Sequence, residues 1–182
     1  MNTIRILPEK VASQIAAGEV IERPASVVRE LIDNSIDAKA DRISVKVERG
    51  GKGLIKVTDN GMGMGKDDLL LCLERHATSK IRTASDLVKI TSFGFRGEAI
   101  PSMAAVSRMQ ITSLPQKELL GNRVRISGGK LLAIEEVGAP PGTIVEIKDL
   151  FFNIPARRKF LKTPRTEMSH MVDTVLRAAM PF

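Results

Sequence analysis

Glu30, Asn34 and Asp37 stand at i, i+4 and i+7 in R-P-A-S-V-V-R-E-L-I-D-N-S-I-D-A, residues 23–38. On a helix that spacing stacks them in one polar stripe. A carboxylate held in place can act as a base, and an amide or carboxylate oxygen is a hard donor for a divalent cation. An isolated E-x-x-x-N is equally the solvated face of an ordinary helix. The element that must carry the stripe is legible around it. Pro24 suits a first helical position, where its missing N–H costs nothing. Val27, Val28, Leu31, Ile32 and Ile36 sweep one broad apolar face that would anchor the helix.

A second set of polar groups comes from strands. Ile43, Val45 and Val47 alternate with polar residues, and glycines at 50, 51 and 53 turn the chain into a returning strand over 54–59. In that strand Asp59 shares parity with Ile55 and Val57. A carboxylate at the end of an apolar face needs a donor to offset its desolvation. Asn60-Gly61-Met62-Gly63 follows. Gly61 and Gly63 would let a flat ligand lie against the main chain; the plainer reading is a D-N-G turn. Further on, Thr143 shares parity with Val145 and Ile147, so its hydroxyl also ends an apolar face. Asp59 and Thr143 could close on one heteroaromatic ring.

A third set suits phosphate. Thr78, Ser79 and Lys80, in H-A-T-S-K, offer two hydroxyls and an ammonium. Gly94-Phe95-Arg96-Gly97 leads into a helix expected from Glu98, and such an entry exposes unpaired N–H groups. Neither stretch is a P-loop or a dinucleotide fingerprint. His76 fits a structural role better than a general acid.

The remaining elements frame these groups. Residues 7–17 read as a short helix with Val11, Ile15 and Ala16 inward and Gly18 as its stop. Residues 67–75 read as another helix. Strands are expected over 108–113, 122–127, 130–136 and 143–148, with Gly128-Gly129 as a hairpin turn. Arg157, Arg158, Lys159, Lys162 and Arg165 form a basic stretch that either tracks DNA phosphates or is a solvated face. Met168, Met171, Val172, Val175, Leu176 and Ala179 read as a core-facing helical stripe.

The bulk composition bounds the function. With 182 residues, 43% of them hydrophobic and 27% charged, the chain fits one globular domain. The net charge of +7, from 28 basic and 21 acidic residues, favours polyanionic partners. There is no Trp or Tyr, so DNA contact would run through the backbone and be salt-sensitive. The single cysteine, Cys72, allows no internal disulfide and suits a reducing compartment. No apolar run approaches a membrane span and the start has no signal-peptide core, so a cytoplasmic or chromosome-associated location (nucleoid or nucleus) is expected.

In their fixed order, E-L-I-D-N-S-I-D-A, D-N-G-M-G, H-A-T-S-K with G-F-R-G-E-A, and G-T-I-V-E resemble the ATPases of the gyrase, heat-shock chaperone, histidine-kinase and MutL superfamily. Q-I-A-A-G-E-V-I-E-R-P at 14–24, R-H-A-T-S-K at 75–80 and F-N-I-P-A-R-R-K-F-L at 152–161 resemble its MutL mismatch-repair branch. The resemblance covers essentially the whole chain. It implies a Bergerat-type α/β two-layer sandwich, with helices on one face of a mixed, mostly antiparallel sheet. It also implies a slow Mg2+-dependent ATPase with Glu30 as general base and Asn34 as the magnesium ligand. Asp59 would accept from the adenine amino group, assisted by Thr143, with Gly61 and Gly63 allowing close approach. Thr78, Ser79 and Lys80, with Gly94 through Gly97, would form the lid and phosphate cradle. ATP would order the lid and favour a homodimer or heterodimer that signals to mismatch-recognition and downstream repair factors on duplex or single-stranded DNA. Residues 1–182 would be one ATP-binding domain of a longer protein. A following domain supplying a lysine to the γ-phosphate and a carboxyl-terminal dimerisation domain would lie outside it. The alternative is a nucleotide-binding or docking module that does not turn ATP over.

Overall fold

The computed structural model describes residues 5–77 and 97–180. The chain begins with helices α1 (Glu9–Val20) and α2 (Pro24–Asp37), followed by the hairpin β1 (Ile43–Glu48) and β2 (Leu54–Asp59). A short helix α3 (Lys66–Leu71) comes next, and α4 (Ala99–Ala105) leads into β3 (Arg108–Leu114), β4 (Gly121–Ser127), β5 (Lys130–Val137) and β6 (Gly142–Lys148). Helices α5 (Pro155–Phe160) and α6 (Pro164–Ala179) complete it. No helix among the described residues is long and apolar enough to cross a membrane.

The six strands form one sheet in the order β1-β2-β6-β3-β4-β5. Every pair in it is antiparallel, so among the described residues the expected mixed sheet has no parallel pair. Period-two alternation decides which face is covered. In β2, Ile55, Val57 and Asp59 are buried while Leu54, Lys56 and Thr58 are only half so. In β6, Thr143, Val145 and Ile147 are buried likewise. The helices pack on that face, giving the α/β two-layer architecture.

Helix α2 is the centre of the helical layer. Val27 and Val28 are fully buried and Leu31 and Ile32 nearly so. Each such side chain contributes roughly 1.5–3 kcal/mol of transfer free energy. Helix α6 packs against α2 and against a 3-10 turn at Arg49–Gly51. Phe151, Met103 and Ile111 fill the rest of the core without exposure.

Three expectations shift. Helix α1 runs on through Gly18 instead of stopping there. A Cβ on Gly18 would lie 2.6 Å from Arg157 Nε, so the glycine makes room for a guanidinium and does not cap the helix. Helix α1 consequently buries Ala17, with Ile21 just beyond its end, while Val11 and Ile15 are exposed. Helix α3 stops at Leu71, earlier than expected, because the N–H groups of Leu73 and Glu74 turn to i−3 carbonyls and His76 then takes φ +64°. On α6, Met171 is buried and Met168, Val175 and Ala178 pack on the core, but Val172, Leu176 and Ala179 are exposed. The expected stripe was too wide: these three lie beyond the strip of α6 that meets the core.

Candidate functional site

Asp59 and Thr143 end the covered faces of adjacent strands, and the sheet register sets them directly opposite each other. They are 8% and 9% exposed, so both are polar groups committed to the interior. The alternation argument therefore put on one covered face two residues that are 84 positions apart in the chain.

Each is held by partners. The Asp59 carboxylate accepts from the Gly61 N–H through Oδ1 at 2.9 Å. Its Oδ2 accepts from the Ser35 hydroxyl at 2.9 Å. The Leu31 carbonyl, 3.0 Å from Ser35 Oγ, is that hydroxyl's alternative acceptor. Thr143 Oγ1 lies 2.9 Å from Ser113 Oγ. Ser113 also accepts from the Met64 N–H at 2.8 Å and faces the Gly142 carbonyl at 3.0 Å. Ser35 and Ser113 are 3% and 0% exposed. Neither was identified from the sequence.

The loop after β2 is fixed just as closely. Asn60 Oδ1 accepts from the N–H groups of Asp41 and Arg42, and its amide donates to Asp41 Oδ1. Gly61 is buried, and a Cβ there would lie 2.7 Å from the Ala38 carbonyl oxygen. Gly63 has φ +69°, and a Cβ there would overlap the Leu114 carbonyl. Gln116 reaches over the loop and donates to the carbonyls of Asn60 and Gly61. The D-N-G-M-G stretch is thus a turn, and the close approach seen at its glycines is of the chain to itself. Asn60 makes the turn, and the glycines let main chain pack on main chain.

Glu30 and Asn34 lie one helical turn apart on α2, both half-buried and both engaged in interactions within the protein. Asn34 immediately precedes Ser35, so the helix that carries the stripe is tied by a side-chain hydrogen bond to the Asp59–Thr143 rung. Arg29 and Asp33, the neighbouring i,i+4 pair, approach to 3.7 Å.

Of the expected phosphate cradle, Thr78, Ser79, Lys80, Gly94, Phe95 and Arg96 lie outside the described residues. Gly97 is described, with φ +63°, and its carbonyl accepts from the His76 N–H at 3.2 Å. His76 Nδ1 lies 3.7 Å from Glu98 Oε1 and its side chain is largely exposed. Glu98 precedes α4, as expected from the sequence. Burial, with Asp68 adding to it, pushes the Cys72 thiol up to about 12, and the thiol donates to the Leu69 carbonyl at 3.2 Å. No group of three or more His, Cys, Asp or Glu side chains among the described residues could hold a metal by itself.

Comparison with known proteins gives the family. Residues 21–130 match the family described as histidine kinase-, DNA gyrase B- and HSP90-like ATPases. The chain is 57% identical to the DNA mismatch repair protein MutL of Acidobacterium capsulatum, across 99% of its own length and 27% of that protein. It is 55% identical to MutL of Syntrophotalea carbinolica, across 97% of its length and 28% of that protein. The chain thus spans about a quarter of the length of these relatives. Among solved structures, the Aquifex aeolicus MutL ATPase domain complexed with ADP superposes with a TM-score of 0.66 at 36% identity, covering 86% of this chain and 54% of that one. With the family's pattern matched over more than half its length, the chain belongs to the histidine kinase-, DNA gyrase B- and HSP90-like ATPases, in the branch of the MutL mismatch-repair proteins.

Proposed function

We propose that this chain is the ATP-binding and ATP-hydrolysing switch domain of a MutL-type mismatch-repair protein. The observation that carries the reading is the Ser35–Asp59 hydrogen bond, which joins the helix bearing Glu30 and Asn34 to the buried rung of Asp59 and Thr143. In this reading Asp59 accepts from the adenine amino group and Thr143 assists. Gly61 and Gly63 let the loop beside Asp59 pack closely on the Ala38 and Leu114 carbonyls, which sets the edge of the ring's site. Thr78, Ser79, Lys80 and Gly94 through Gly97 receive the phosphates.

Glu30 takes a proton from the water aligned on the terminal phosphate, and α2 fixes its position. Asn34 fits a magnesium ligand. Mg2+ characteristically takes one or two protein oxygens and completes its shell with phosphates and water, and the described residues offer no all-protein cage. When bound, the ion would neutralise phosphate charge. The ADP complex of the Aquifex aeolicus domain supports nucleotide binding here. As a switch, the domain would dimerise on binding ATP and pass the signal to mismatch-recognition and downstream repair factors at DNA.

The test is calorimetric titration with a non-hydrolysable ATP analogue, with and without Mg2+, beside a phosphate-release assay. Glu30→Ala is expected to lower release about 10²–10⁴-fold while leaving analogue affinity nearly unchanged. Analogue binding without release in the unmutated chain would assign turnover to residues outside it and favour a binding module. No analogue binding would overturn the reading.

A further inference from the structure

Ser113 stands behind the rung with one hydroxyl hydrogen and two acceptors for it. It is fully buried. In the ladder of β3 with β6 it lies directly opposite Thr143, as Asp59 does in the ladder of β2 with β6. Three groups surround Ser113 Oγ: the Met64 N–H at 2.8 Å, the Gly142 carbonyl at 3.0 Å and Thr143 Oγ1 at 2.9 Å. A serine hydroxyl donates one hydrogen bond and accepts two. The Met64 N–H can only donate, and the Gly142 carbonyl can only accept. The direction of the bond to Thr143 is the one choice left.

Counting hydrogens decides it. If Ser113 donates to Gly142, its second lone pair receives the Thr143 hydrogen. All three donors, the Met64 N–H and the two hydroxyls, then have acceptors within the protein. If Ser113 donates to Thr143 instead, the Thr143 hydrogen has no acceptor among the described residues, on a side chain that is almost wholly buried. A buried donor left without an acceptor is disfavoured. Ser113 therefore draws the Thr143 hydrogen toward itself, and Thr143 has only lone pairs to offer elsewhere. Asp59 is alike in this. Its oxygens receive the Gly61 N–H and the Ser35 hydroxyl, and a carboxylate has no hydrogen to give. The rung is thus two acceptors side by side.

We infer that Ser113 is a positioning residue for base choice. By holding the Thr143 hydroxyl as an acceptor, it makes the rung select a purine with an amino group at position 6 over one with an oxo group there. Side chains directly opposite on a ladder stand about 5 Å apart, a span that one amino group donating at about 2.9 Å to each side can bridge. A 6-oxo group brings only lone pairs. The N1–H that accompanies it can still satisfy Asp59, so the penalty falls on Thr143. Thr143 could serve the oxo group only by taking its hydrogen away from Ser113. Discrimination that leaves buried polar groups unpaired is stronger than discrimination by shape. The inference rests on the nucleotide reading above and adds to it the residue that sets the polarity of Thr143.

The test is calorimetric titration with ADP and with inosine diphosphate, neither of which has a terminal phosphate to lose. The unmutated chain should bind ADP about 10²-fold more tightly. Ser113→Ala lets the Thr143 hydrogen turn outward, and should cut that ratio about tenfold, chiefly by tightening the inosine complex. In a Thr143→Val background there is no hydroxyl hydrogen to direct, so adding Ser113→Ala should leave the ratio where it was. If Ser113→Ala folds poorly, Ser113→Cys takes its place with the same expected cut, because a thiol is a weak acceptor. Three results would overturn the assignment: equal binding of the two diphosphates by the unmutated chain, an equal loss for both in Ser113→Ala, as a merely structural role would give, or a ratio that shifts as much in the Thr143→Val background as outside it. Binding of neither diphosphate would overturn the nucleotide reading, and this inference with it.

Discussion

The two faces of the sheet use polar residues in opposite ways. On the covered face, Asp59, Thr143 and Ser113 are few, almost wholly buried, and each is tied to named partners at 2.8–3.0 Å. On the open face the charged groups are many, partly exposed, and joined in ion pairs at 2.6–3.3 Å. A buried hydrogen bond to a charged group is worth about 1.5–3 kcal/mol, whereas an exposed ion pair is worth about 0–1. The covered face thus spends its polar groups on fixed geometry, whereas water screens the ion pairs of the open face.

The largest test of that contrast is Gly142→Ala. Gly142 has φ +113°, and a Cβ there would overlap the Asp59 carbonyl across the ladder. The substitution should cost about 3 kcal/mol in chemical denaturation and weaken nucleotide binding by displacing Asp59. Ser35→Ala should come next. It leaves Asp59 Oδ2 buried without the hydroxyl, at about 2 kcal/mol in the same assay. Analogue affinity should fall with it, and Ser35→Thr should restore part of both. Smallest is Lys56→Met on the open face. Losing the bridge to Glu146 and losing the repulsion from Lys46 offset one another, so the change should stay within about 1 kcal/mol. A larger loss for Lys56→Met than for Ser35→Ala would erase the distinction between the faces.

Much of the covered face was legible in advance because alternation is a local property. Parity alone put Asp59 and Thr143 inside, and the register then joined them. The same rule, applied to Ser113 after Met109 and Ile111, would have found the third hydroxyl. Ser35 lies at i+4 from Leu31 and i+7 from Val28, so it sits on the apolar side of α2, where a polar group signals a partner. What stayed hidden depends on residues distant in the chain. Nothing near Gly18 announces Arg157, and nothing in the α6 stripe says how much of it α2 will cover. The like-charge pair on the open face was equally invisible, since Lys46 and Lys56 become neighbours only once the hairpin register is set.

The central rung also has a bearing on how the molecule assembles. The outer ladders, β1 with β2 and β4 with β5, join segments adjacent in sequence and can zip locally. The ladder of β2 with β6 must instead close a long excursion of chain, and contacts of that separation form slowly. Asp59 therefore meets Thr143 only when the middle of the sheet is sealed. If the rung holds a purine as proposed, a half-folded chain, however rich in hairpins, would have no grip on it, and binding competence becomes a signature of the completed fold.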